Sequence, residues 1–426
     1  MTGIAFFTFA ALSVIGLPLA FALGVGAALA IVFADFPMDV LAQRMVYAVD
    51  SFPLVAVPLF MLAGELMVKG GIMDRLINLA NSVVGQVRGG LAHVCLVSGT
   101  CLSAVSGAAV ADATALGSTL GPALRRNYDN GFASAVIAAA ANLGPIIPPS
   151  AAMIVYAIMA GNLVSVGGLF MAGVIPGLLM AAGMMALCSY IAYRRNYPPT
   201  GEPFRIRNVL RELRRSLIVL LMPLIVIGGI VAGAFTATEG AAIAVVYALF
   251  IGFFVTRTLR LSDLPHAMFQ AALVSSILGI LIACASVMTF LFTVDLIPVR
   301  LAAFLQSITS SPGVFLFLVM CALVIVGMFL ESNAAYIMLV PLLAPIAMTY
   351  GLDPLHFGFL FVLNLVIGQL TPPVGILLFV MSGVTGISMA ELVKNVWPFI
   401  LVQSGVLVLC AFFPIIVLWL PRLMGY

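Results

Sequence analysis

The stretch Gly144-Pro-Ile-Ile-Pro148-Pro149 interrupts a long apolar run, and the same pattern, Gly-xxx-Pro-Pro, returns 224 residues later at Gly368-Gln-Leu-Thr-Pro372-Pro373. A backbone that stops being helical inside hydrocarbon must satisfy its freed N–H and C=O groups from protein, water or ions. Two such interruptions at matching places in two halves of a membrane protein indicate a transport site near the bilayer midplane. The pair therefore predicts two broken helices, at about 128–160 and about 356–382.

The composition is that of a membrane protein. Of the 426 residues, 64% are hydrophobic and 8% are charged, and the mean hydropathy is +1.25, whereas about a quarter of the residues of soluble domains are charged. Apolar stretches long enough to cross a bilayer recur along the whole chain. This predicts an all-α polytopic membrane protein with no soluble domain, and the small net charge of +3 gives no reason to expect a nucleic-acid partner.

Basic residues mark where the chain meets water. Seven of the 18 lysines and arginines lie in the polar segment 194–215, which contains Gly201 and separates two halves of similar length, 1–193 and 216–426. Cytoplasmic loops of membrane proteins carry an excess of basic residues. This basic linker is therefore expected in the cytoplasm.

The repeat extends to the residues before each Gly-xxx-Pro-Pro pattern. Gly89 and Gly313 open similar segments at the same offset of 224, and each segment has a small or polar patch partway along. Neither arm beside such a patch reaches the roughly 20 residues that a crossing needs. The segments at about 89–125 and about 313–350 are therefore predicted as re-entrant helical hairpins whose tips meet near the bilayer centre.

Flanking charges give the two hairpins opposite orientations. Arg88 precedes the first hairpin and Arg125-Arg126 follow it, which puts its open end in the cytoplasm. The crossings after the basic linker put the open end of the second hairpin on the outer side. The predicted fold is thus an inverted-topology repeat of the kind found in secondary transporters.

The predicted site has no basic side chain, because none of the lysines and arginines falls in a hairpin tip or a helix break. The charge of an anionic substrate would be met by helix N-termini. We expect helices to restart at Pro148 and Pro372, since proline suits the first helical position, with Thr371 as an N-cap. Unwound carbonyls and hydroxyls are ligands for a cation such as Na⁺. A Na⁺-coupled carboxylate symporter follows, with H⁺ as the alternative coupling ion and no organic cofactor.

Specific residues are predicted for two Na⁺ sites and for the substrate. The cation sites are related by the repeat and use oxygens of a tip and a break: Ser103, Ser106, Gly144, Ile147 and Pro149 in the first, and Gly327, Glu331, Gly368, Thr371 and Val374 in the second. The substrate is expected between the tips, beside Ser106, Gly107, Ala108, Asn142, Ser332, Asn333 and Pro373.

Five acidic residues in apolar surroundings leave alternatives open. Asp112 and Glu331 adjoin the predicted tips and either serve the site or are structural. Glu239 lies in a corner where it suits the N-terminus of the next helix. Glu65 and Asp295 lie near predicted segment ends and either serve the function or are simply exposed to water.

Several stretches jointly resemble the large membrane subunit of TRAP (tripartite ATP-independent periplasmic) transporters, over essentially the whole chain. These stretches are Asp50-Ser-Phe-Pro-Leu-Val-Ala-Val-Pro-Leu-Phe-Met-Leu-Ala-Gly-Glu65, Ser106-Gly-Ala-Ala-Val-Ala-Asp112, Ile146-Ile-Pro-Pro-Ser150, Phe235-Thr-Ala-Thr-Glu239 with the apolar run after it, and Gly368-Gln-Leu-Thr-Pro-Pro-Val-Gly375. The resemblance implies a multi-pass protein of the bacterial inner membrane with a scaffold and a transport domain that works as an elevator. It also implies two partners, a small four-helix membrane subunit on a separate chain and a periplasmic substrate-binding protein, and a small organic acid as substrate.

Other classes of function remain as alternatives. The nearest is a stand-alone carboxylate or anion symporter or antiporter with the same inverted plan and no binding protein. An intramembrane enzyme is not expected, because the sequence has no His-Glu-x-x-His or Gly-x-Ser-x-Gly motif. A simple channel would leave the duplicated breaks unexplained.

Overall fold

The computed structural model describes residues 1–199 and 204–426. In these ranges the chain forms 21 α-helices, and its one β-type contact there is an isolated bridge between Arg88 and Pro199. The all-α prediction is confirmed for the described residues. The α-helices are α1 Thr2–Val14, α2 Leu19–Phe33, α3 Asp39–Val49, α4 Ala56–Lys69, α5 Ile72–Val84, α6 Gly90–Ser106, α7 Ala109–Thr119, α8 Gly121–Asn127, α9 Asn130–Ala141, α10 Ala151–Met159, α11 Val166–Arg194, α12 Ile206–Val231, α13 Ala237–Phe250, α14 Leu264–Val294, α15 Ile297–Ile308, α16 Pro312–Phe329, α17 Ser332–Thr349, α18 Pro354–Gln369, α19 Ile376–Thr385, α20 Met389–Phe412 and α21 Ile415–Leu423.

Many of these helices have the length and apolarity of membrane spans. Among the described residues, eight helical segments are long and apolar enough to cross a bilayer. They are Phe52–Lys69, Val166–Arg194, Ile206–Val231, Ala237–Val255, Leu261–Val294, Pro312–Phe329, Ser332–Thr349 and Met389–Phe412. The prediction of a multi-pass membrane protein is confirmed.

The first helix pair, α6 and α7, turns at Ser106–Ala108, called the first tip below. Gly107 ends α6 in the left-handed region with φ +63°, a conformation that glycine adopts without a steric penalty. A Cβ added to Gly107 would lie 2.6 Å from the carbonyl oxygen of Pro149. The first tip therefore packs directly on the non-helical segment 142–150 between α9 and α10, called the first break.

The second helix pair, α16 and α17, turns at residues 330–333, called the second tip. The non-helical segment between α18 and α19, residues 370–375, is the second break. The N–H of Gly375 donates to the carbonyl of Met328 at 3.0 Å, so the second break is tied to the end of α16. Each tip thus lies against the break of its own half.

The starts of the helices after the breaks differ from the sequence expectation. The helices do not restart at Pro148 and Pro372: α10 begins at Ala151 with Ser150 as its N-cap, and α19 begins at Ile376. The residue before a proline is disfavoured in the helical region, and both Pro148 and Pro372 precede a second proline. Both Pro–Pro bonds are cis.

Thr371 is also not an N-cap. Its hydroxyl donates to the carbonyl of Ile367, four residues earlier, at 2.8 Å, so it satisfies the C-terminal end of α18. The glutamate of the Phe235 corner does take the predicted role: Thr236 and Glu239 form a reciprocal capping box at the start of α13.

The basic linker is partly helical. α11 runs to Arg194, and α12 begins at Ile206, so the polar end of α12 lies inside the predicted linker 194–215. Asp129, before α9, accepts hydrogen bonds from Arg195 at 2.9 Å and from Tyr197 at 2.7 Å. Residues 200–203, which include Gly201, lie outside the described residues.

Packing places two groups of helices side by side. In one group α9 packs on α6, α7 and α20, α10 packs on α17, and α16 packs on α18. In the other group α4 packs on α13 and α14, and α14 also packs on α2 and α3. The tips and breaks belong to the first group, and α4 and α14 face them across the cavity described next.

Candidate functional site

The two tips, Pro145 of the first break and Gln369 at the end of α18 line a cavity of about 570 Å³. Its opposite wall comes from α4, with Glu65, and from α14, with Gln270. A cavity of this size lies in the range of small-molecule binding sites. The fold thus brings together the two sequence features that repeat 224 residues apart.

Most residues predicted to surround the substrate line this cavity. Five do so: Ser106, Gly107, Ala108, Ser332 and Asn333. Two lie elsewhere. Asn142 is buried and donates to the side-chain oxygen of Gln403 at 2.8 Å, which joins the end of α9 to α20. Pro373 is exposed on the second break and is not part of the cavity wall.

At the first tip, Asp112 is fully buried and accepts hydrogen bonds from two serines of α6. Ser103 donates to Oδ2 at 3.1 Å, and Ser106 donates to Oδ1. Gly144 of the first break lies against the same carboxylate, because a Cβ added there would be 2.8 Å from Asp112 Oδ2. Ser103, Ser106, Gly144 and Asp112 therefore form one cluster at the junction of tip and break.

At the second tip, Glu331 caps α17. Its carboxylate accepts from the N–H of Ala334 at 3.1 Å and from the amide of Asn333 at 2.8 Å. Ser332 donates to the carbonyl of Leu365 in α18 at 3.3 Å. The second tip is thus fixed both by its own carboxylate and by a contact to the helix that precedes the second break.

The remaining predicted cation ligands differ in their surroundings. Gly327 and Gly368 bring the backbones of α16 and α18 into direct contact, since a Cβ on Gly368 would lie 2.6 Å from Gly327 Cα. Ile147 directs its side chain to α11, where a Cβ on Gly177 would lie 2.9 Å from Ile147 Cγ1. Pro149 adjoins the first tip, while Val374 lies partly buried in the second break.

The two tip carboxylates have no basic partner among residues 1–199 and 204–426, where the ion pairs involve other acidic groups. An ionised carboxylate removed from water is costly unless a positive charge or several donors compensate it. The described residues hold no cluster of three or more His, Cys, Asp or Glu side chains. A cation at either tip would therefore be held by one carboxylate with hydroxyl and carbonyl oxygens, the ligands of hard cations.

Glu65, Gln270 and Gln369 also line the cavity, although none of them was in the set chosen from sequence. Glu65 is half-buried in the cavity wall. Gln270 faces the same space from α14, and Gln369, the last residue of α18, is 7% exposed. Gln369 is part of the second Gly-xxx-Pro-Pro pattern, so a signal for it was present in the sequence. Gln270 reaches the cavity through helix packing alone.

A multi-pass helical protein with paired tips and paired helix breaks, whose tips line one cavity, has the architecture of a secondary transporter. The chain belongs to the family described as "Tripartite ATP-independent periplasmic transporter, DctM component", whose sequence model matches residues 6–416. The resemblance to TRAP large membrane subunits is confirmed. Proteins of this family are transporter subunits, so the chain is not an enzyme.

Two relatives and one solved structure show the extent of the likeness. The sialic acid TRAP transporter large permease protein SiaM of Vibrio cholerae is 37% identical over 414 residues, 96% of each chain. The C4-dicarboxylate TRAP transporter large permease protein DctM of Pseudomonas aeruginosa is 37% identical over 405 residues, 95% of this chain and 94% of that protein. The crystal structure of the Alcanivorax borkumensis YdaH transporter superposes with a TM-score of 0.61 at 15% identity, covering 87% of this chain and 86% of that chain. At this identity the structural likeness concerns the fold alone.

Proposed function

We propose that the protein is the membrane transport subunit of a Na⁺-coupled symporter that imports a small organic acid delivered by a periplasmic binding protein. The observation that carries the proposal is the cavity of about 570 Å³ with Glu331 in its wall and Asp112 buried behind the first tip. The cavity is large enough to hold a small solute. The two carboxylates lack a basic partner among the described residues. Two cations bound beside the solute would neutralise them.

Na⁺ fits the donor set better than H⁺ does. Around Asp112 the available oxygens include the hydroxyls of Ser103 and Ser106, and around Glu331 they include the side-chain amide oxygen of Asn333. Such oxygens coordinate a hard cation, whereas a proton would need only the carboxylate. The family description calls these transporters ATP-independent, which agrees with an ion gradient as the energy source.

The partners follow from the family. Its description is tripartite and periplasmic, and the relatives from V. cholerae and P. aeruginosa are called large permeases. We therefore expect a small four-helix membrane subunit as a separate chain and a periplasmic substrate-binding protein. The relatives' names include sialic acid and C4-dicarboxylate, which supports a small organic acid as the substrate class.

The transport movement is proposed to be that of an elevator. The cavity wall joins the tips, Pro145 and Gln369 on one side to α4 and α14 on the other, and in this proposal the site reaches alternate faces when one group slides along the other. In this scheme the two helix pairs are re-entrant and the two halves have inverted topology. The protein lies in the inner membrane of a bacterium, with the basic linker on the cytoplasmic side.

Uptake into proteoliposomes that contain this chain and its small subunit tests the proposal. With binding protein and labelled acid outside, we expect accumulation with external Na⁺ and none when choline replaces Na⁺ at constant pH and membrane potential. Equal uptake in choline would refute Na⁺ coupling. A proton-coupled symporter would then require uptake to follow an imposed pH gradient.

The alternative is a symporter or antiporter of the same plan that works without a binding protein. Omitting the binding protein from the same vesicles separates the two proposals. Loss of uptake supports the tripartite system, and undiminished uptake at equal substrate concentration supports the stand-alone transporter.

A further inference from the structure

We propose that a second cavity, where α8 and α9 meet α19 and α20, binds the headgroup of a phospholipid that carries both a phosphate and an ammonium group, as an ethanolamine lipid does. Its lining residues differ from those of the cavity between the tips, and its ligand is not the transported acid. Two features indicate such a ligand: opposite charges that line the cavity without pairing, and a helix start that lacks its aspartate cap.

The second cavity has a volume of about 200 Å³ and joins the two halves of the chain. Arg125 of α8 and Ser134 of α9 line it from the first half, and Ser388 and Glu391 at the start of α20 line it from the second. Its wall is mainly polar, whereas that of the cavity between the tips is mainly apolar. It is smaller than the usual site of a drug-sized ligand, so it suits a small polar group.

Arg125 is the cationic group of the wall and is held in place by two carbonyl oxygens. Its Nη1 donates to Thr385 at the end of α19 at 2.7 Å, and its Nε donates to Gly121 at 3.3 Å. A guanidinium has more N–H donors than these two contacts use. Its planar fork matches the oxygens of a phosphate, so the remaining donors suit that group.

Ser134 supplies a hydroxyl that needs a partner. The residue is 0% exposed and lines the cavity, and its hydroxyl forms no hydrogen bond to another described residue. Buried hydroxyls in proteins are nearly always hydrogen-bonded. An oxygen of a ligand in the cavity would provide the missing acceptor.

The start of α9 is open to an anion, in contrast to the equivalent helix of the second half. Asp129 precedes α9 and Asp353 precedes α18, at the same offset of 224. The carboxylate of Asp353 caps α18 by accepting two of its backbone N–H groups, at 2.9 and 3.1 Å. Asp129 does not cap α9, because its carboxylate accepts from Arg195 and Tyr197 instead. Asn130, the first residue of α9, lines the cavity, so the positive end of this helix is left for a phosphate.

Glu391 is the anionic group of the wall, and it requires a cation in the ligand. It lies beside the start of α9, since a Cβ added to Gly131 would be 3.3 Å from Glu391 Cγ. Within residues 1–199 and 204–426 neither Glu391 nor Arg125 forms an ion pair. A bare phosphate would be attracted by Arg125 and repelled by Glu391. A headgroup with a phosphate and an ammonium group satisfies both side chains.

The surroundings of the cavity favour a lipid over a soluble phosphate compound. Phe379 of α19 and Trp397 and Leu401 of α20 are large apolar side chains on exposed positions of the two helices that line the cavity. α20 is long and apolar enough to cross a bilayer, and tryptophan is enriched at the level of the headgroups. Acyl chains can therefore lie along these helices while the headgroup occupies the cavity. In the proposed topology Arg125 lies on the cytoplasmic side, so the lipid belongs to that leaflet.

Lipids that differ only in the headgroup test the inference on the full-length chain purified with its small subunit. Dioleoyl lipids with ethanolamine, choline or glycerol headgroups are titrated in detergent, and the melting temperature is measured. We expect the ethanolamine lipid to stabilise the protein at the lowest concentration, because its ammonium group donates to Glu391, whereas a choline group has no N–H and a glycerol group has no positive charge. Inorganic phosphate and free phosphoethanolamine are the soluble probes and should require much higher concentrations.

Variants test the residues that define the site. Ser134→Ala removes the unpaired hydroxyl and favours the helix, so the melting temperature in choline lipid should not fall. The half-maximal concentration of the ethanolamine lipid should rise roughly fivefold, the loss of one hydrogen bond. Glu391→Gln should abolish the preference for the ethanolamine over the glycerol headgroup. Ser307→Ala, on an exposed position of α15, is the matched control and should change neither value.

Several results would overturn the inference. Equal stabilisation by the three lipids, or the strongest stabilisation by the glycerol headgroup, would show that the cavity does not select an ammonium group. A preference for ethanolamine that is unchanged in both Ser134→Ala and Glu391→Gln would place the lipid elsewhere. Stabilisation by free phosphoethanolamine at the same concentration as the lipid would show that the ligand is soluble. The measurements contain no transported acid, so their failure leaves the proposed function standing.

Discussion

Replacing Gly368 by alanine should damage the second cation site through the backbone. The added Cβ would lie 2.6 Å from Cα and 2.7 Å from the carbonyl carbon of Gly327. Ordinary contact begins at 3.4 Å, so α16 and α18 would have to separate by about 0.8 Å. Overpacking of this kind typically costs about 1–3 kcal/mol, and here no flexible side chain can move to relieve it.

The displaced atoms include the oxygens proposed to coordinate Na⁺. If about 1.4 kcal/mol of the strain falls on the ion-bound state, the Na⁺ concentration for half-maximal uptake should rise by about tenfold. The assay is initial uptake of labelled acid into proteoliposomes across a range of external Na⁺, with saturating binding protein. Gly405→Ala is the matched control, since a Cβ at Gly405 in α20 meets nothing within 4 Å and alanine favours a helix.

A clear result would refute this reasoning. If Gly368→Ala inserts normally, melts like the wild type and keeps its Na⁺ dependence, the contact between α16 and α18 does not shape a cation site. A loss of stability with an unchanged Na⁺ dependence would assign the two glycines to packing alone.

Three further changes probe other parts of the molecule. Ser106→Ala removes a donor to the buried carboxylate of the first tip and should raise the Na⁺ concentration for half-maximal uptake by roughly tenfold. Thr371→Ala should have a smaller effect, because that hydroxyl donates to the preceding helix turn. A larger effect of Thr371→Ala than of Ser106→Ala would count against the first cation site. A bifunctional thiol reagent that joins Met61→Cys in α4 to Thr114→Cys in α7, both in the cavity wall, should stop uptake and leave binding-protein docking intact, whereas full crosslinking with normal uptake would argue against sliding. Asp129→Ala breaks an exposed ion pair and should lower the free energy of unfolding by less than about 1 kcal/mol; a larger loss in chemical denaturation would show that the linker contact supports the fold.

The sequence located the tips and breaks through backbone chemistry. Gly107 and the Gly-xxx-Pro-Pro patterns are local signals, because glycine permits φ of +63° at the end of α6 and paired prolines stop a helix. The same chemistry explains one error. We expected Pro148 and Pro372 to start helices, but each precedes another proline, so α10 and α19 begin three and four residues later.

Other features required the tertiary structure. Gln270 lies on an apolar helix whose sequence gives no sign that it faces a cavity, and Glu65 lies four residues before the end of α4. Both reach the cavity because α4 and α14 pack together opposite the tips. Asn142 is the opposite case. Its position next to the first break predicted a substrate contact, but its side-chain amide donates to Gln403 instead.

The coupling ratio between Na⁺ and the acid tests the central claim most directly. In proteoliposomes held at zero membrane potential, the equilibrium accumulation of the acid is measured as the Na⁺ ratio across the membrane is varied. Two Na⁺ ions moving with each acid, one for each tip carboxylate, predict that a tenfold Na⁺ ratio supports about a hundredfold accumulation. An accumulation that does not change with the Na⁺ ratio would contradict the account.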